Sequence, residues 1–594
     1  MINPHRLRLA YLTARDALLK ERVPEGHWVG ELSTSALSTA TAVMALHLVN
    51  PFEHRELIND GLQWLSVNQN ADGGWGDTVK SVSNISTTML CRAAFAMTGG
   101  EKEYSTTIDA VEAWLTEVAG PTPERRAEAI RRRYGKDRTF SVPILMSCAL
   151  AGLVKWDEVP RLPFELACLP QSWYRFAKLP VVSYALPALI AIGQCVHAHR
   201  RSRNPLRNAV RFLARGLSLK VLRRIQPTSG GYLEATPLTS FVTMALASIR
   251  RRRSSSENQV MAEGVRFIVD SVRPDGSWPI DTDLATWVTT LGVNALAAAG
   301  DLESLDTKDA IRDWLLKQQY KERHIYTGAA PGGWAWTDLP GGVPDCDDTP
   351  GAVLALDALE TTAPRSTHPD QRQARQFMVH LQNRDGGMPT FCRGWGTLPF
   401  DRSGSDLTAH ALRAMNLDIH GSSTDDPRCA ASSRKVVGNA WKYLQTQQRP
   451  DGSWLPLWFG NQHAPDDINP VYGTARVLAA YRDLQMQATP ECQRGLKYLL
   501  SVQNADGGWG GAKDCPSSVE ETALAVEVLL DLVNPDVKAQ IERGILWLIE
   551  AVESGRFRDA SPIGFYFAKL WYYEKLYPII FTVAALGRAQ KPHV

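Results

Sequence analysis

The densest group of residues that could do acid–base chemistry is the segment Asp345-Cys346-Asp347-Asp348. Three carboxylates within four residues cannot all ionise where the dielectric constant is low, so at least one should keep its proton above the ordinary pKa of about 4. Such a group suits a general acid. Two other readings fit the same spacing: Asp side chains that cap the apolar helix predicted after Thr349, and a loop that binds a metal ion.

A repeated turn accompanies this segment along the chain. Three copies combine a helical run with Gln, an Asp-Gly pair and Trp, and each places Trp six residues after Gln. The pairs are Gln69 with Trp75, Gln448 with Trp454, and Gln503 with Trp509; degenerate copies end at Trp28, Trp278, Trp334 and Met388. The Asp-Gly pair predicts a tight turn, and we expect the Gln side chain to hydrogen-bond the indole.

The elements between these turns are apolar helical runs, and strand signals are almost absent. One helix pair cannot bury its own apolar face, so successive pairs must stack. Closed stacking predicts an all-α fold of two α/α barrels, with an open helical solenoid as the alternative. We assign residues 1–20 and 283–594 to the barrel that carries the Asp segment, and residues 21–282 to the second barrel.

Composition narrows the class of partner. Lys and Arg number 65 against 63 Asp and Glu, a net charge of +2 that does not favour nucleic acid. Nine Cys without CxxC spacing favour a reducing compartment. We expect no signal peptide, and the longest apolar run, 179–193, is too short to span a bilayer. The segment 206–225 reads as a basic amphipathic helix, suited to a membrane surface or to an ordinary solvent-exposed face.

Asp345-Cys346-Asp347-Asp348-Thr349, together with the Gln-Trp repeats, resembles the squalene–hopene cyclase branch of the triterpene cyclases. The resemblance runs from about Trp28 to Pro578, nearly the whole chain. It implies two α/α barrels around a large apolar cavity, attached to one leaflet at the cytoplasmic side of the membrane. It implies no cofactor and no metal, and a linear polyprene as substrate.

The same resemblance assigns roles to the acid segment. Asp347 takes the place of the family's proton donor, and Asp345 and Asp348 support it. His410, in Asp406-Leu407-Thr408-Ala409-His410, takes the place of a His that hydrogen-bonds the acid; without the motif, a lone His would be read as structural. An excess of Trp, 18 in all, fits this chemistry, because aromatic faces stabilise carbocations at roughly 0.5–2 kcal/mol each without reacting.

Aromatic residues at positions that match the family are expected to bind the substrate, although each taken alone would be read as core. They are Trp287, Trp336, Phe391, Trp458, Tyr472, Phe565, Tyr566 and Tyr573. Trp336 replaces a Phe that is usual in the family, and Phe391 replaces a Tyr. The initiating acid is therefore intact, while the contacts that govern ring number and termination are altered.

The function expected from this resemblance is protonation of a terminal alkene of squalene and cyclisation to a hopene- or hopanol-type triterpene. Partners would be squalene and a membrane surface, with a homodimer as the oligomer considered. Another linear polyprene, or another cyclic product, is the first alternative. A protein prenyltransferase β-like subunit with zinc near Cys346 and His410, and a non-catalytic helical binding protein, are the others.

Overall fold

The computed structural model describes residues 2–177, 179, 181–249, 254–360, 369–396, 398–416, 427–532, 538–564 and 569–591. Over these ranges the chain forms 24 α-helices, with a single two-stranded sheet. The expectation of an all-α fold is confirmed.

The helices of the N-terminal half have the following bounds: α1 Pro4–Lys20, α2 Ala36–Val49, α3 Arg55–Val67, α4 Ile85–Thr98, α5 Ser105–Val118, α6 Pro123–Tyr134, α7 Ser141–Leu150, α8 Gln171–Phe176, α9 Val181–Tyr184, α10 Leu186–His199, α11 Pro205–Ile225, α12 Thr236–Ala247 and α13 Ser255–Asp270.

Those of the C-terminal half are α14 Ala285–Ala299, α15 Lys308–Gln318, α16 Asp348–Leu359, α17 Pro369–Leu381, α18 Ser405–Asn416, α19 Pro427–Gln447, α20 Pro470–Asp483, α21 Pro490–Ser501, α22 Val519–Leu532, α23 Lys538–Glu553 and α24 Tyr577–Ala589. Strands β1 Met388–Pro389 and β2 Ser403–Gly404 pair antiparallel between α17 and α18.

Two closed rings of helices organise the molecule. In the first, α2, α4, α7, α10 and α12 each pack on the next, and α12 returns to α2. In the second, α14, α16, α18, α20, α22 and α24 do the same, and α24 returns to α14. The remaining long helices form an outer layer around each ring. Because both rings close, the fold is a pair of α/α barrels rather than an open solenoid.

Sequence pattern separates the inner from the outer helices. Residues 36–46 of the inner helix α2 are all buried, and they are small or apolar all round. The outer helix α3 buries only one stripe, residues Ile58, Gly61, Leu62, Trp64 and Leu65. Helix α1 lies in the outer layer of the second barrel, against α23 and α24. The exact division of the chain at residue 282 stays a prediction.

The repeat turns differ from expectation in one contact. The Trp75 indole donates to the main-chain oxygen of Leu65, at 2.9 Å, and not to Gln69. The Gln69 amide donates to the oxygens of Gly73 and Thr107, at 2.8 and 3.1 Å. The expected Gln–indole bond is wrong because carbonyls near the end of α3 lack helical partners and the indole satisfies one of them, while Gln joins the turn to the next outer helix.

A further copy of the turn lies between Trp75 and Trp278, where the sequence contains no clear Gln-Trp repeat. Gln226 donates to the oxygens of Gly230 and Val260, at 3.0 and 3.2 Å, and the Tyr232 hydroxyl donates to Leu222 O at 3.1 Å. Tyr232 is six residues after Gln226 and takes the structural position of Trp. Its apolar ring packs in the turn and its polar hydroxyl bonds a main-chain oxygen, as an indole does. A search that required Trp could not find it.

Candidate active site

The main chain of the acid segment pairs with the repeat turn at Trp334. Asp345 N donates to Trp334 O at 3.0 Å, and α16 begins at Asp348. One carboxylate oxygen of Asp345 accepts the main-chain N–H groups of Asp347 and Asp348, both at 2.8 Å. The helix-cap interpretation therefore holds for Asp345. The Asp347 side chain receives no such bond, although it stands at the helix start.

Asp345 and Asp348 form a coupled pair. Burial raises the pKa of Asp345 to about 7 and raises the pKa of Asp348 well above its ordinary value. The two carboxyl groups are hydrogen-bonded to each other, which opposes this rise for Asp345 and adds to it for Asp348. Asp348 therefore keeps its proton and donates a hydrogen bond to the carboxylate of Asp345, because two carboxylates this close cannot both be charged.

Asp347 remains as the carboxyl group that is free to give up a proton. Burial raises its pKa to about 6, against an opposing effect of the Arg476 charge. Its side chain keeps 21% of its surface exposed, and His410 Nδ1 lies 3.7 Å from its Oδ1. That separation is longer than a hydrogen bond. Burial, Arg413 and Arg476 hold the pKa of His410 well below its ordinary value, so the imidazole is neutral.

Asp406 is a further carboxyl group of the site that was quoted from the sequence only as part of the His410 motif. It lies one turn before His410 on α18, and its Oδ1 accepts the N–H of Leu457 at 3.0 Å. Burial, followed by the charge of Asp347, raises its pKa to about 7. The spacing of four residues between Asp406 and His410, which puts both on one helix face, was the available signal.

Trp287, on α14, contacts His410, which in turn lies beside the acid. The two rings meet edge to face with centroids 6.2 Å apart. The Trp287 indole donates to the Tyr577 hydroxyl at 3.0 Å, and its main-chain N–H donates to Trp336 O at 3.1 Å. The Tyr572 hydroxyl lies 3.1 Å from that of Tyr577, so a hydrogen-bonded row fixes the orientation of the Trp287 ring.

A row of aromatic rings continues from Trp336. It meets Phe391 edge to face at 6.0 Å, Phe391 lies 5.8 Å from Phe400, and Phe400 lies 6.1 Å from Trp458. The Trp458 indole donates to Thr390 Oγ1 at 2.6 Å. The structure thus brings Trp336, Phe391 and Trp458 into one row, and adds Phe400, which sequence reasoning missed.

The same Thr390 ties these rings to the acid segment. Its main-chain oxygen accepts the N–H of Cys346 at 2.8 Å. Strand β1 ends at Pro389, so the small sheet holds Thr390 and Phe391 alongside the acid. Tyr472, on α20, packs on Phe459 at 4.9 Å and completes this side of the site.

The remaining predicted residues have other outcomes. Tyr573 is not brought to the acid: its ring lies 4.9 Å from Lys80 Nζ, and its main-chain oxygen accepts Ser33 N at 2.9 Å, between the two halves of the chain. Its neighbour Tyr572 reaches the site instead. Phe565 and Tyr566 lie outside the described residues.

The chemistry available here is proton donation by a carboxyl group. In the described ranges, no group of three or more His, Cys, Asp and Glu side chains is arranged to hold a metal ion. A half-buried acid can protonate an alkene, and the aromatic faces beside it can stabilise the cation that results. Two α/α barrels with this site define a class II terpene cyclase, an enzyme that cyclises polyprenes.

The comparisons with known proteins identify the family. Residues 12–280 match the squalene–hopene cyclase N-terminal domain, and residues 284–591 match the C-terminal domain. The chain therefore belongs to the squalene–hopene cyclase family. It is 23% identical to a probable squalene–hopene cyclase of Sinorhizobium fredii, over 97% of this chain and 96% of that protein.

Two other relatives show how far the similarity spreads. The chain is 26% identical to an enfumafungin synthase of Hormonema carpetanum over 92% of its length, but it spans only 45% of that protein. In structure it resembles ent-copalyl diphosphate synthase from Streptomyces platensis with a TM-score of 0.59, at 18% identity, covering 98% of this chain and 99% of the other. That likeness supports the fold.

Proposed function

We propose that this enzyme protonates a terminal alkene of squalene and drives cationic polycyclisation to a hopene- or hopanol-type triterpene. The observation that carries the proposal is the Asp347 carboxyl group, which is half-buried, lacks a hydrogen bond from the described side chains, and has a pKa of about 6 beside aromatic rings. The relative named a probable squalene–hopene cyclase supports squalene as substrate.

Each residue of the site has a distinct task in this reaction. Asp347 transfers its proton to the terminal alkene carbon, and the alkene electron pair forms the new C–H bond, which leaves a tertiary cation. Successive alkenes attack that cation and form the rings. Trp287, Trp336 and Trp458 offer π faces that stabilise positive charge and cannot capture it. Loss of a proton from carbon, or addition of water followed by loss of a proton from the added oxygen, ends the sequence and restores neutrality.

A second candidate is a cyclase of another linear polyprene, or one that forms another product from squalene. The overall structural likeness to a copalyl diphosphate synthase is compatible with a shorter substrate. Trp336 and Phe391 also alter the wall of the site relative to the family, as noted from the sequence. These contacts shape the folded polyprene, so they bear on ring number more than on initiation.

The test is incubation of purified protein with squalene in detergent, followed by identification of products by mass spectrometry. We expect a cyclised C30 hydrocarbon or alcohol from the wild type and none from Asp347→Asn. Asp309→Asn, which changes an exposed aspartate on α15, is the matched control and should keep full activity. Product from a shorter polyprene and none from squalene would establish the second candidate.

We also propose that the enzyme sits on the cytoplasmic face of a membrane as a monotopic protein. No helix in the described ranges is long and apolar enough to cross a bilayer. Helix α11 nevertheless exposes a row of apolar side chains, and the 3-10 helix Phe164–Cys168, which packs on it, and the adjoining α8 add more. The exposed residues are Leu166, Leu169, Trp173, Phe176, Leu206, Val210, Phe212, Leu213 and Leu217.

Two observations favour a lipid surface over solvent for this apolar patch. Phe176 is 92% exposed and Phe212 is 70% exposed, which is unusual for clustered aromatic residues. Exposed Arg207, Lys220 and Arg223 on the same helix suit anionic headgroups. A homodimer stays a prediction.

Flotation with liposomes tests the membrane proposal. We expect wild-type protein to float with vesicles that contain anionic phospholipid, and the double variant Phe176→Ser/Phe212→Ser to stay in the dense fraction. Phe52→Ser, which removes an equally exposed Phe outside the patch, should float like the wild type. Equal flotation of both variants would remove the patch as the docking surface.

A further inference from the structure

Arg476 is a half-buried arginine that the function described so far does not use. It lies one turn after Tyr472 on α20, and its guanidinium covers the Tyr472 ring at 5.1 Å and the Phe581 ring at 5.3 Å. Its Nη2 atom is buried and has no hydrogen-bond partner in the described part of the chain.

The arginines around Arg476 are paired in a different way. Arg413 binds Asp483 at 2.6 Å, Arg482 binds the same carboxylate at 2.8 Å, and Arg588 binds Asp531 at 2.7 Å. Their charges are therefore balanced by neighbouring carboxylates. Arg476 is held by two π faces, which neutralise no charge, so its field extends into the site.

Several charged or titratable groups face Arg476 from the helices packed around it. Helix α18 presents His410 and Arg413, α22 presents Glu527, and the start of α16 presents Asp347. Glu527 is already bound by Arg482 and Arg588, at 3.2 and 3.1 Å. Phe581, which Arg476 covers, stacks on Tyr577 at 5.8 Å, and Tyr577 accepts the indole N–H of Trp287 beside His410, so Arg476 belongs to the same site as Asp347. Unlike Glu527, Asp347 has no ion pair with an arginine or lysine in the described ranges, and the charge of Arg476 opposes the effect of burial on its pKa.

We propose that Arg476 is a positioning residue that supplies the permanent positive charge beside Asp347 and stabilises the carboxylate left when the proton moves to the alkene. This inference rests on the proposed function, because it concerns the same proton transfer. Arg476 thus supplies the positive charge that a protonated His410 would otherwise provide.

The electrostatics of the two bases explain this division. His410 is neutral, and its Nδ1 lies 3.7 Å from the acid, so it adds no positive charge beside the carboxyl group. A guanidinium stays protonated at every working pH. In a dry site, a fixed cation lowers the cost of creating a carboxylate, and it cannot attack the carbocation because it has no free electron pair to donate.

A measurement without substrate tests the inference directly. Infrared difference spectra between each protein and its Asp347→Asn counterpart report the protonated carboxyl of Asp347 from pH 4 to 9. In Arg476→Gln we expect its pKa to rise by about one unit, because removing a cation disfavours the carboxylate. Arg476→Lys should keep most of the wild-type value. Arg413→Gln is the matched control, since it removes a nearby but paired arginine, and should show no shift.

Turnover gives a second readout, with a polyprene that the wild type cyclises. For Arg476→Gln we expect kcat about 10-fold lower and the alkaline limit of the pH profile moved upward, both restored in Arg476→Lys. A structural role alone would lower activity without moving that limit. Should the glutamine variant melt early, Arg476→Met, which keeps the stem between the two rings, replaces it.

The outcomes separate the two proposals. An unchanged Asp347 pKa in Arg476→Gln, or an equal shift in Arg413→Gln, overturns the role of Arg476 even when the wild type is active. A wild type that cyclises no polyprene overturns the proposed function, and the infrared titration still decides whether Arg476 tunes Asp347.

Discussion

Two aspartates, the buried Asp77 in the first barrel and the half-buried Asp347 in the second, both follow a repeat tryptophan, and loss of solvent raises the pKa of each. Asp77 accepts hydrogen bonds from the Asn84 amide at 2.9 Å, from the Thr87 hydroxyl, and from Trp571 N at 2.7 Å. Asp347 accepts none in the described part of the chain. Loss of solvent is common to both, and the number of donors distinguishes an anchor from a proton donor.

The two carboxylates are also connected. Asp77 holds the main chain at Trp571, and the next residue, Tyr572, lies against Tyr577, which accepts the indole N–H of Trp287. Trp287 in turn meets His410 beside the acid. The anchor in one half of the chain therefore supports the wall of the site in the other half.

The largest effect is expected where the donor-free carboxylate is removed. Asp347→Asn should lower kcat by at least about 10³-fold, because the amide cannot protonate an alkene and general acids supply 10²–10⁴-fold. Its thermal unfolding should show a single transition like that of the wild type. Turnover comparable to the wild type would show that Asp347 is not the acid, and the contrast between Asp347 as proton donor and Asp77 as anchor would fail.

Removing the anchor should act on stability first. Asp77→Ala leaves three buried donors without an acceptor, and we expect the free energy of unfolding to fall by about 4 kcal/mol. Denaturant titration measures this loss, with Asp309→Ala, at an exposed position, as control. A loss below about 1 kcal/mol would show that Asp77 is not an anchor.

The pH dependence of stability should differ between wild type and Asp347→Asn. A carboxyl group whose pKa is raised from 3.8 to about 6 on folding favours the folded state below pH 4, and this contribution is lost as pH rises through 6. The variant should therefore equal the wild type near pH 4 and exceed it by up to about 3 kcal/mol at pH 8. Parallel stability curves would mean that the acid costs nothing in the folded state.

The smallest effect is expected in the link between the two carboxylates. Tyr572→Phe removes the hydroxyl beside Tyr577 and should lower turnover roughly 3-fold, with a changed product ratio, because the Trp287 ring is held less firmly. Tyr573→Phe is the matched control and should behave like the wild type. Greater sensitivity at Tyr573 would favour the assignment made from the sequence.

Much of the fold follows from local pattern. The Gln-Trp turns recur because each ends an outer helix in the same way, so helix pairs, their stacking and the absence of a large sheet could be predicted. The copy at Gln226 and Tyr232 was not predicted, because it has Tyr in place of Trp. Both residues combine an aromatic ring with a polar group that can bond a main-chain oxygen. Closure of the rings depends on contacts between distant helices and needed the structure.

The candidate site divides in the same way. The sequence alone determined that three carboxylates are crowded at residues 345–348, because this is a matter of residue type and spacing. The expectation that His410 lies near them came from the resemblance to the family's motif. Only the tertiary structure decided that Asp345 caps α16, that Asp348 shares its proton with Asp345, and that Asp347 receives no donor. It also brought Tyr572 rather than Tyr573 to the site, and set Arg476 beside the acid. The reason is physical: hydrogen-bond donors and charges from other helices set the acidity of a buried carboxyl group, and their positions depend on packing across the barrel.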